Sequence, residues 1–144
     1  MRDVQRQVPL APVPESIGIA RSTVRAVVAG MDVRVAGDVE LLTSELVTNA
    51  IRHGGSQIDL EVVLAANCLT VTVHDDGEAL PQVGDREVPM EAVSGRGLQL
   101  VAQVADSWGV AQVPDRAGKR VWFTMAVDDA RSPGPTPLES ARTT

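Results

Sequence analysis

The spacing of apolar residues changes several times along this chain, and each spacing predicts an element. Residues 4–10 alternate weakly between polar and apolar side chains, which predicts an edge strand that the following Pro12 ends. Residues 58–64 and 69–73 alternate more strictly on either side of Asn67. Because asparagine is favoured in tight turns, this pattern predicts an antiparallel hairpin.

Helical spacing begins soon after the first strand. The turn formed by Pro14 and Glu15 suits a helix start, where proline is favoured. A connection at 31–37 leads to Asp38, the predicted N-cap of a second helix that ends at His53 before two glycines. The predicted core positions of this second helix are Leu41, Leu42, Leu46, Ala50 and Ile51.

The second half of the chain combines an irregular segment with three more elements. Residues 77–94 carry Gly, Pro and acidic residues without a clear period, and a loop of this length in a compact domain is usually functional. Helical spacing returns at 98–105. Two strand-like runs follow, at 108–113 and 121–127, with a turn at 114–118 between them.

This order of elements, β-α-α-β-β-loop-α-β-β, predicts an α+β fold. Antiparallel strands with helices collected on one face make a two-layer α/β sandwich, with a mostly antiparallel mixed sheet. We expect one domain over residues 1–128. Residues 129–144 are rich in Pro, Ser and Thr, and we expect them to form a disordered tail.

Composition narrows the classes of function. Apolar residues make up 44% of the 144 residues but aromatic residues only 2%, so aliphatic side chains must fill the core. The formal net charge of −6 argues against nucleic acid or an anionic membrane as a partner. No apolar run approaches the roughly 20 residues of a membrane span, and the first residues begin no signal peptide. The lone Cys68 is predicted to be a buried structural thiol, which favours a cytoplasmic protein.

The segment ELVTNAIRHGG, at 45–55, carries the first candidate chemistry. In a helix, Glu45 and Asn49 lie one turn apart and leave the same face. An amide oxygen suits Mg²⁺ that also keeps phosphate and water oxygens, and a carboxylate beside that ion could act as a base in phosphoryl transfer. The simpler interpretation is an exposed glutamate and a locally hydrogen-bonded asparagine.

The segment VHDDG, at 73–77, ends a β-branched run in an acidic turn. Burial of Asp75 would be costly unless a donor meets its carboxylate, and the exocyclic amine of adenine would be such a donor. A solvated tight turn at Asp76 and Gly77 is the alternative.

The segment SGRGLQLV, at 94–101, places two glycines before a helical pattern. Backbone N–H groups at such a helix start can bind phosphate, although glycine pairs before helices are common. The chain contains no P-loop signature and no complete Rossmann signature. His53 and His74 are too far apart in the pattern to suggest a metal site, and they suit helix-end and strand-surface roles.

Together the three segments resemble the N box and the two glycine boxes of the histidine-kinase-like ATPase superfamily, which binds ATP in the Bergerat fold. The resemblance covers roughly residues 8–128. We expect no phosphoacceptor-histidine domain, transmembrane sensor or transducer domain, so the chain looks most like the stand-alone anti-sigma-factor serine kinases and similar short actinobacterial regulators. The segments DSWGV and GKRVWFTM, at 106–110 and 118–125, are similar to that subfamily.

The resemblance implies roles for individual residues. It makes Glu45 the catalytic base and Asn49 the Mg²⁺ ligand, which also contacts the nucleotide. It makes Asp75 the carboxylate that recognises adenine and Gly77 the residue on whose backbone the base packs. The other residues that it places at the nucleotide are Arg52, His53, Gly95, Arg96, Gly97 and Leu98.

Residues 78–94 would form a short lid over ATP. Three positions differ from the family's usual pattern. Ala79 replaces the second glycine of the first glycine box, and Gln99 replaces another glycine of the second. Arg120 occupies the region where a threonine often supports the adenine-binding carboxylate.

The resemblance implies ATP and Mg²⁺ as cofactors. It favours a protein serine/threonine kinase that binds a sigma factor and phosphorylates an antagonist (anti-anti-sigma) protein. The alternative is an ATP-sensing regulatory module without kinase activity, and a nucleotide-free structural adaptor is a third possibility. We expect no direct contact with nucleic acid or membrane, a cytoplasmic location and a possible homodimer.

Overall fold

The computed structural model of the chain describes residues 3–53, 56–77, 97–112 and 118–127. The predicted lid at 78–94 and the predicted tail at 129–144 lie outside these residues. Within them, the elements follow the predicted order: β1 (Val4–Leu10), α1 (Glu15–Val27), α2 (Val33–His53), β2 (Ile58–Ala65), β3 (Cys68–Asp75), α3 (Gly97–Val104), β4 (Ser107–Gln112) and β5 (Lys119–Ala126).

The described strands form one sheet in the order β1-β2-β3-β5-β4, and each neighbouring pair is antiparallel. Strand β1 lies at an edge, as its weak alternation predicts. Helix α1 contacts β1 and β2, whereas α2 contacts β3 and β5 and also packs against α3. The predicted α+β sandwich is therefore confirmed, but the prediction of a mixed sheet is wrong for the described strands, whose four pairings are all antiparallel.

The core lies between the sheet and the helices and is almost entirely aliphatic. Alternate residues of the three central strands are buried, and the first apolar member of each series is Ile58 in β2, Leu69 in β3 and Val121 in β5. Phe123 is a fully buried aromatic residue among them. The strict alternation fixes the register, because a slip of one residue would turn every apolar side chain away from the helices.

The hairpin between β2 and β3 turns at Ala66 and Asn67, as predicted. Both residues have positive φ, 52° for Ala66 and 61° for Asn67. Two consecutive residues with positive φ are typical of the hairpin turn whose twist matches that of the flanking strands. Asparagine tolerates this conformation better than alanine, so the turn is favoured at one position and strained at the other.

Helix α2 begins earlier than the sequence predicts, so Asp38 is not its N-cap. The helix begins at Val33, and Asp32 caps it, since its Oδ1 accepts hydrogen bonds from the N–H groups of Arg34 (2.9 Å) and Val35 (3.4 Å). Gly37, which suggested a connection, lies inside the helix. A glycine there costs about 1 kcal/mol relative to alanine, and the cap and the burial of the following turn outweigh this cost.

Two predictions of burial are wrong. Leu41 is 45% exposed, because it lies about 100° around the helix from Leu42, which is buried. Cys68 is exposed rather than buried. It is the first residue of β3, and alternation places Leu69, not Cys68, on the face that the helices cover.

The described residues contain no helix that is both long and apolar enough to cross a membrane.

Candidate nucleotide-binding site

One face of α2 carries Glu45, Asn49 and His53 at successive helical turns. Asn49 is only 1% exposed, and within the described part of the chain neither its Oδ1 nor its Nδ2 meets a hydrogen-bond partner. Glu45, one turn earlier, is half-buried. A buried amide without partners costs roughly 1–3 kcal/mol in proteins, so Asn49 is poised to receive a ligand rather than to stabilise the core.

Asp75 ends β3 and is the second buried polar group of this region, 1% exposed. Its Oδ1 accepts a hydrogen bond from the backbone N–H of Gly77 at 2.9 Å. The same oxygen forms an ion pair with Lys119 Nζ at 2.9 Å, and Lys119 is completely buried. The alternative interpretation, in which Asp75 is simply solvated in a turn, is therefore wrong.

Strand register explains how Lys119 reaches Asp75. The two residues lie opposite each other in the β3–β5 pairing, and Lys119 continues the inward-facing series of Val121 and Phe123. Sequence reasoning missed Lys119 and considered Arg120, which is exposed and lies opposite His74. Counting the alternation of β5 backwards from Val121 would have indicated Lys119.

Gly118 allows β5 to approach the end of β3 closely. Its φ is +123°, and a Cβ atom built on it would lie 2.2 Å from the backbone oxygen of Asp75. Only glycine avoids this overlap while keeping a positive φ. Gly118 therefore helps to place Lys119 beside the carboxylate.

His53, at the end of α2, lies close enough to Asp75 and Lys119 for their charges to affect its pKa. Burial is the main cause that lowers the pKa of His53, and the positive charges of Arg52 and Lys119 lower it further. The negative charge of Asp75 acts in the opposite direction. The C-terminal end of the α2 face and the Asp75–Lys119 pair thus belong to one region.

Asp76, by contrast, has a structural role in the turn. Its Oδ1 accepts a hydrogen bond from the N–H of Gln57 at 3.0 Å, and its Oδ2 accepts one from Ser56 Oγ at 2.9 Å. These bonds, that of Gln57 first, lower the pKa of the Asp76 carboxyl. The two adjacent aspartates therefore differ: Asp76 ties the turn to the start of β2, while Asp75 faces the core.

The remaining predicted residues lie at the start of α3 or outside the described residues. Gly97 is the first residue of α3, and Leu98 follows it in the same helix. Gly95 and Arg96 lie outside the described residues, as does Ala79. Gln99 is exposed on α3, and Arg52 is exposed near the end of α2.

Comparison with known proteins shows a family model and several relatives that match this chain. The model of the histidine kinase-like ATPase domain family matches residues 10–125. The anti-sigma F factor of Clostridium perfringens (strain 13 / Type A) is 30% identical over 118 residues, which cover 73% of this chain and 84% of that protein. The anti-sigma F factor of Geobacillus stearothermophilus is 30% identical over 105 residues, covering 64% and 72%.

Histidine kinases are also similar to this chain. Blue-light-activated histidine kinase 2 of Erythrobacter litoralis is 32% identical over 107 residues, which cover 70% of this chain but only 30% of that protein. The solved histidine kinase domain of the blue-light-activated kinase from Erythrobacter litoralis EL346 has a TM-score of 0.52 and 23% identity, over 78% of this chain and 60% of that one. The second similarity supports the fold alone.

Proposed function

This chain belongs to the histidine kinase-like ATPase domain family, and we infer that it is an ATP-dependent protein serine/threonine kinase of the anti-sigma-factor type. In this proposal the protein binds a sigma factor and phosphorylates an antagonist protein on serine or threonine. Two relatives named anti-sigma F factor, each matched over more than two thirds of its length, support that type of regulator.

The observation that carries the proposal is the unpartnered amide of Asn49. Its burial without a partner among the described residues fits a side chain whose oxygen ligates Mg²⁺ and whose amide group contacts the nucleotide. Bound Mg²⁺ would supply charge neutralisation at the phosphates.

Asp75 is the proposed reader of the base. A carboxylate accepts hydrogen bonds and donates none, so it fits the exocyclic amine of adenine and repels the carbonyl oxygen that guanine carries at the same position. Gly77, whose N–H already binds the carboxylate, would form the adjacent surface against which the base packs.

Glu45 is the proposed catalytic base, because it lies one helical turn from Asn49 on the same face of α2. It would accept the proton of the attacking hydroxyl of the antagonist. Arg52, His53 and the segment 95–98 are proposed to contact the nucleotide, the last through N–H groups at the positive end of α3.

Phosphoryl transfer tests this function. The protein is incubated with Mg²⁺, ATP labelled on the γ-phosphate and candidate antagonist domains from the same genome. We expect transfer by the wild-type chain and a loss of about 10²-fold or more in Glu45→Gln, the scale of a missing general base, with ATP affinity changed only a few-fold. Glu61→Gln, on the sheet face away from the helices, is the control and should keep the wild-type rate.

The outcomes separate the possible functions. A protein that binds ATP but transfers phosphate to none of the domains would be the ATP-sensing module instead. Transfer by Glu45→Gln at the wild-type rate would remove the proposed base. A protein that binds no nucleotide would contradict the proposal as a whole.

A further inference from the structure

We propose that Lys119 is a positioning residue for base recognition, which holds Oδ1 of Asp75 so that Oδ2 of the same carboxylate reads the exocyclic amine of adenine. This inference rests on the proposed nucleotide binding. It assigns a role in base selectivity to a side chain that does not itself contact the nucleotide.

Burial is the first observation behind this proposal. Lys119 and Asp75 are 0% and 1% exposed, so both charges have been removed from water. The attraction within a buried ion pair often fails to repay this desolvation, and apolar residues of similar size are frequently as stable or more so. Lys119 continues the apolar series of Val121 and Phe123, where an apolar residue would simply have extended the core. Stability therefore gives a poor account of a lysine at this position.

The geometry of the hydrogen bonds to Asp75 explains the presence of a lysine at position 119 better than stability does. Lys119 Nζ and the Gly77 N–H both donate to Oδ1 of Asp75, each at 2.9 Å. Two donors on one oxygen fix the rotation of the carboxylate, and neither of these bonds uses Oδ2. The second oxygen is thus held in a defined direction as an acceptor.

The backbone around Lys119 is also held in place. Lys119 is paired in register with Asp75, and it follows Gly118, which packs against the Asp75 carbonyl. Helix α2 packs against β3 and β5, so the Asp75–Lys119 pair lies on strands that α2 contacts, and the charge of Lys119 acts on His53 at the end of that helix. A carboxylate held by a rigid strand keeps its direction better than one held from a loop.

The test compares ATP with purine riboside triphosphate, which lacks the exocyclic amine, by calorimetry in the presence of Mg²⁺. We expect the full-length wild-type chain to prefer ATP by roughly 10-fold or more, the effect of one hydrogen bond to a charged group. Lys119→Met, which removes the donor, should bring the ratio of the two affinities close to one. Lys119→Gln keeps an N–H donor on a shorter side chain and should retain an intermediate ratio.

Arg120→Gln is the matched control, because it removes the neighbouring positive charge from the exposed side of the same strand. Its ratio should equal that of the wild type. A general loss of structure would weaken both ligands equally and leave the ratio unchanged, so the ratio reports orientation rather than folding. If Lys119→Met does not fold, the positioning role is tested by comparing the ratio of the two affinities in Lys119→Gln with the ratio in Arg120→Gln.

A wild-type ratio in folded Lys119→Met or Lys119→Gln would overturn the positioning role while leaving nucleotide binding intact. A wild-type protein that binds both ligands equally would overturn base reading by Asp75, and the role of Lys119 with it. A wild-type protein that binds neither ligand would overturn the proposed function itself.

Discussion

At the scale of single residues, the buried side chains of Asp75 and Asn49 are in opposite states. Asp75 is held by two donors, whereas the amide of Asn49 has no partner within the described residues. The first group is preorganised for a ligand atom that donates. In the part of the chain that the structure describes, the amide of Asn49 lacks hydrogen bonds that would offset the free-energy cost of its burial.

We therefore predict that Asn49→Leu stabilises the nucleotide-free protein while abolishing Mg²⁺-dependent ATP binding. Leucine has nearly the same shape and removes a buried unsatisfied amide, so the free energy of unfolding should rise by about 1–2 kcal/mol. Urea denaturation and calorimetry measure the two effects.

Thr43→Val is the control for this prediction. Thr43 Oγ1 is also buried without a partner among the described residues, but the residue lies about 120° around α2 from Asn49. It should gain stability and keep wild-type ATP affinity. A loss of stability in Asn49→Leu would mean that the amide is already satisfied.

At the scale of elements, α2 carries most of the site, so its correct start matters for the whole helix. Asp32 caps the first turn, whereas the predicted cap, Asp38, lies inside the helix. Helix α2 then runs for 21 residues without interruption and ends at His53, and it packs against β3 and β5, the strands that carry Asp75 and Lys119.

The N-cap can be tested directly. Asp32→Ala should lower the free energy of unfolding by about 1 kcal/mol, the usual cost of losing such a cap. Asp38→Ala should have a much smaller effect, since alanine is favoured inside a helix. Equal losses in the two variants, measured by urea denaturation, would contradict the structural assignment.

At the scale of the whole molecule, the protein has a formal net charge of −6 and yet is proposed to bind an anion. Positive groups close to the site must then offset the overall field. Arg52, exposed near the end of α2, is such a group and acts on His53, whereas the positive charge of Lys119 is balanced by Asp75 at 2.9 Å. The pKa of His53 therefore reports the local charge of the site, and through linkage it affects global stability.

Burial, followed by the charges of Arg52 and Lys119, lowers the pKa of His53 in the folded protein. The unfolded chain has the ordinary value of about 6.5 and binds the proton more readily. The contribution of His53 to stability is thus complete above about pH 6.5 and is lost as the pH falls through the lower folded pKa. The unfolding free energy of His53→Gln should depend less on pH in this range than that of the wild type.

NMR titration of His53 tests whether neighbouring charges lower its pKa. Arg52→Gln should raise the pKa of His53 towards its ordinary value. Arg34→Gln, at the other end of α2 and roughly 28 Å from His53 along the helix axis, should leave this pKa unchanged. An unchanged pKa in Arg52→Gln would show that the charge of Arg52 does not help to lower the pKa of His53.

The sequence by itself determined the element order, the hairpin and the aliphatic core, because these follow from local periodicity and turn chemistry. It also indicated which face of α2 carries Glu45 and Asn49, since residues four apart share a helix face. The family was evident from the same segments. The predicted start of α2 is wrong because Gly37 and Asp38 suggest a helix start there, whereas the Asp32 cap and the burial of the following turn begin the helix at Val33.

Only the tertiary structure decided what surrounds Asp75. Lys119 is 44 residues away along the chain, and the two meet because β5 pairs beside β3 in one register. A sequence pattern shows which side of a strand a residue occupies, but not which strand becomes its neighbour. Pairing between distant strands is set by the packing of the whole sheet against the helices, and this packing placed a buried cation beside the carboxylate.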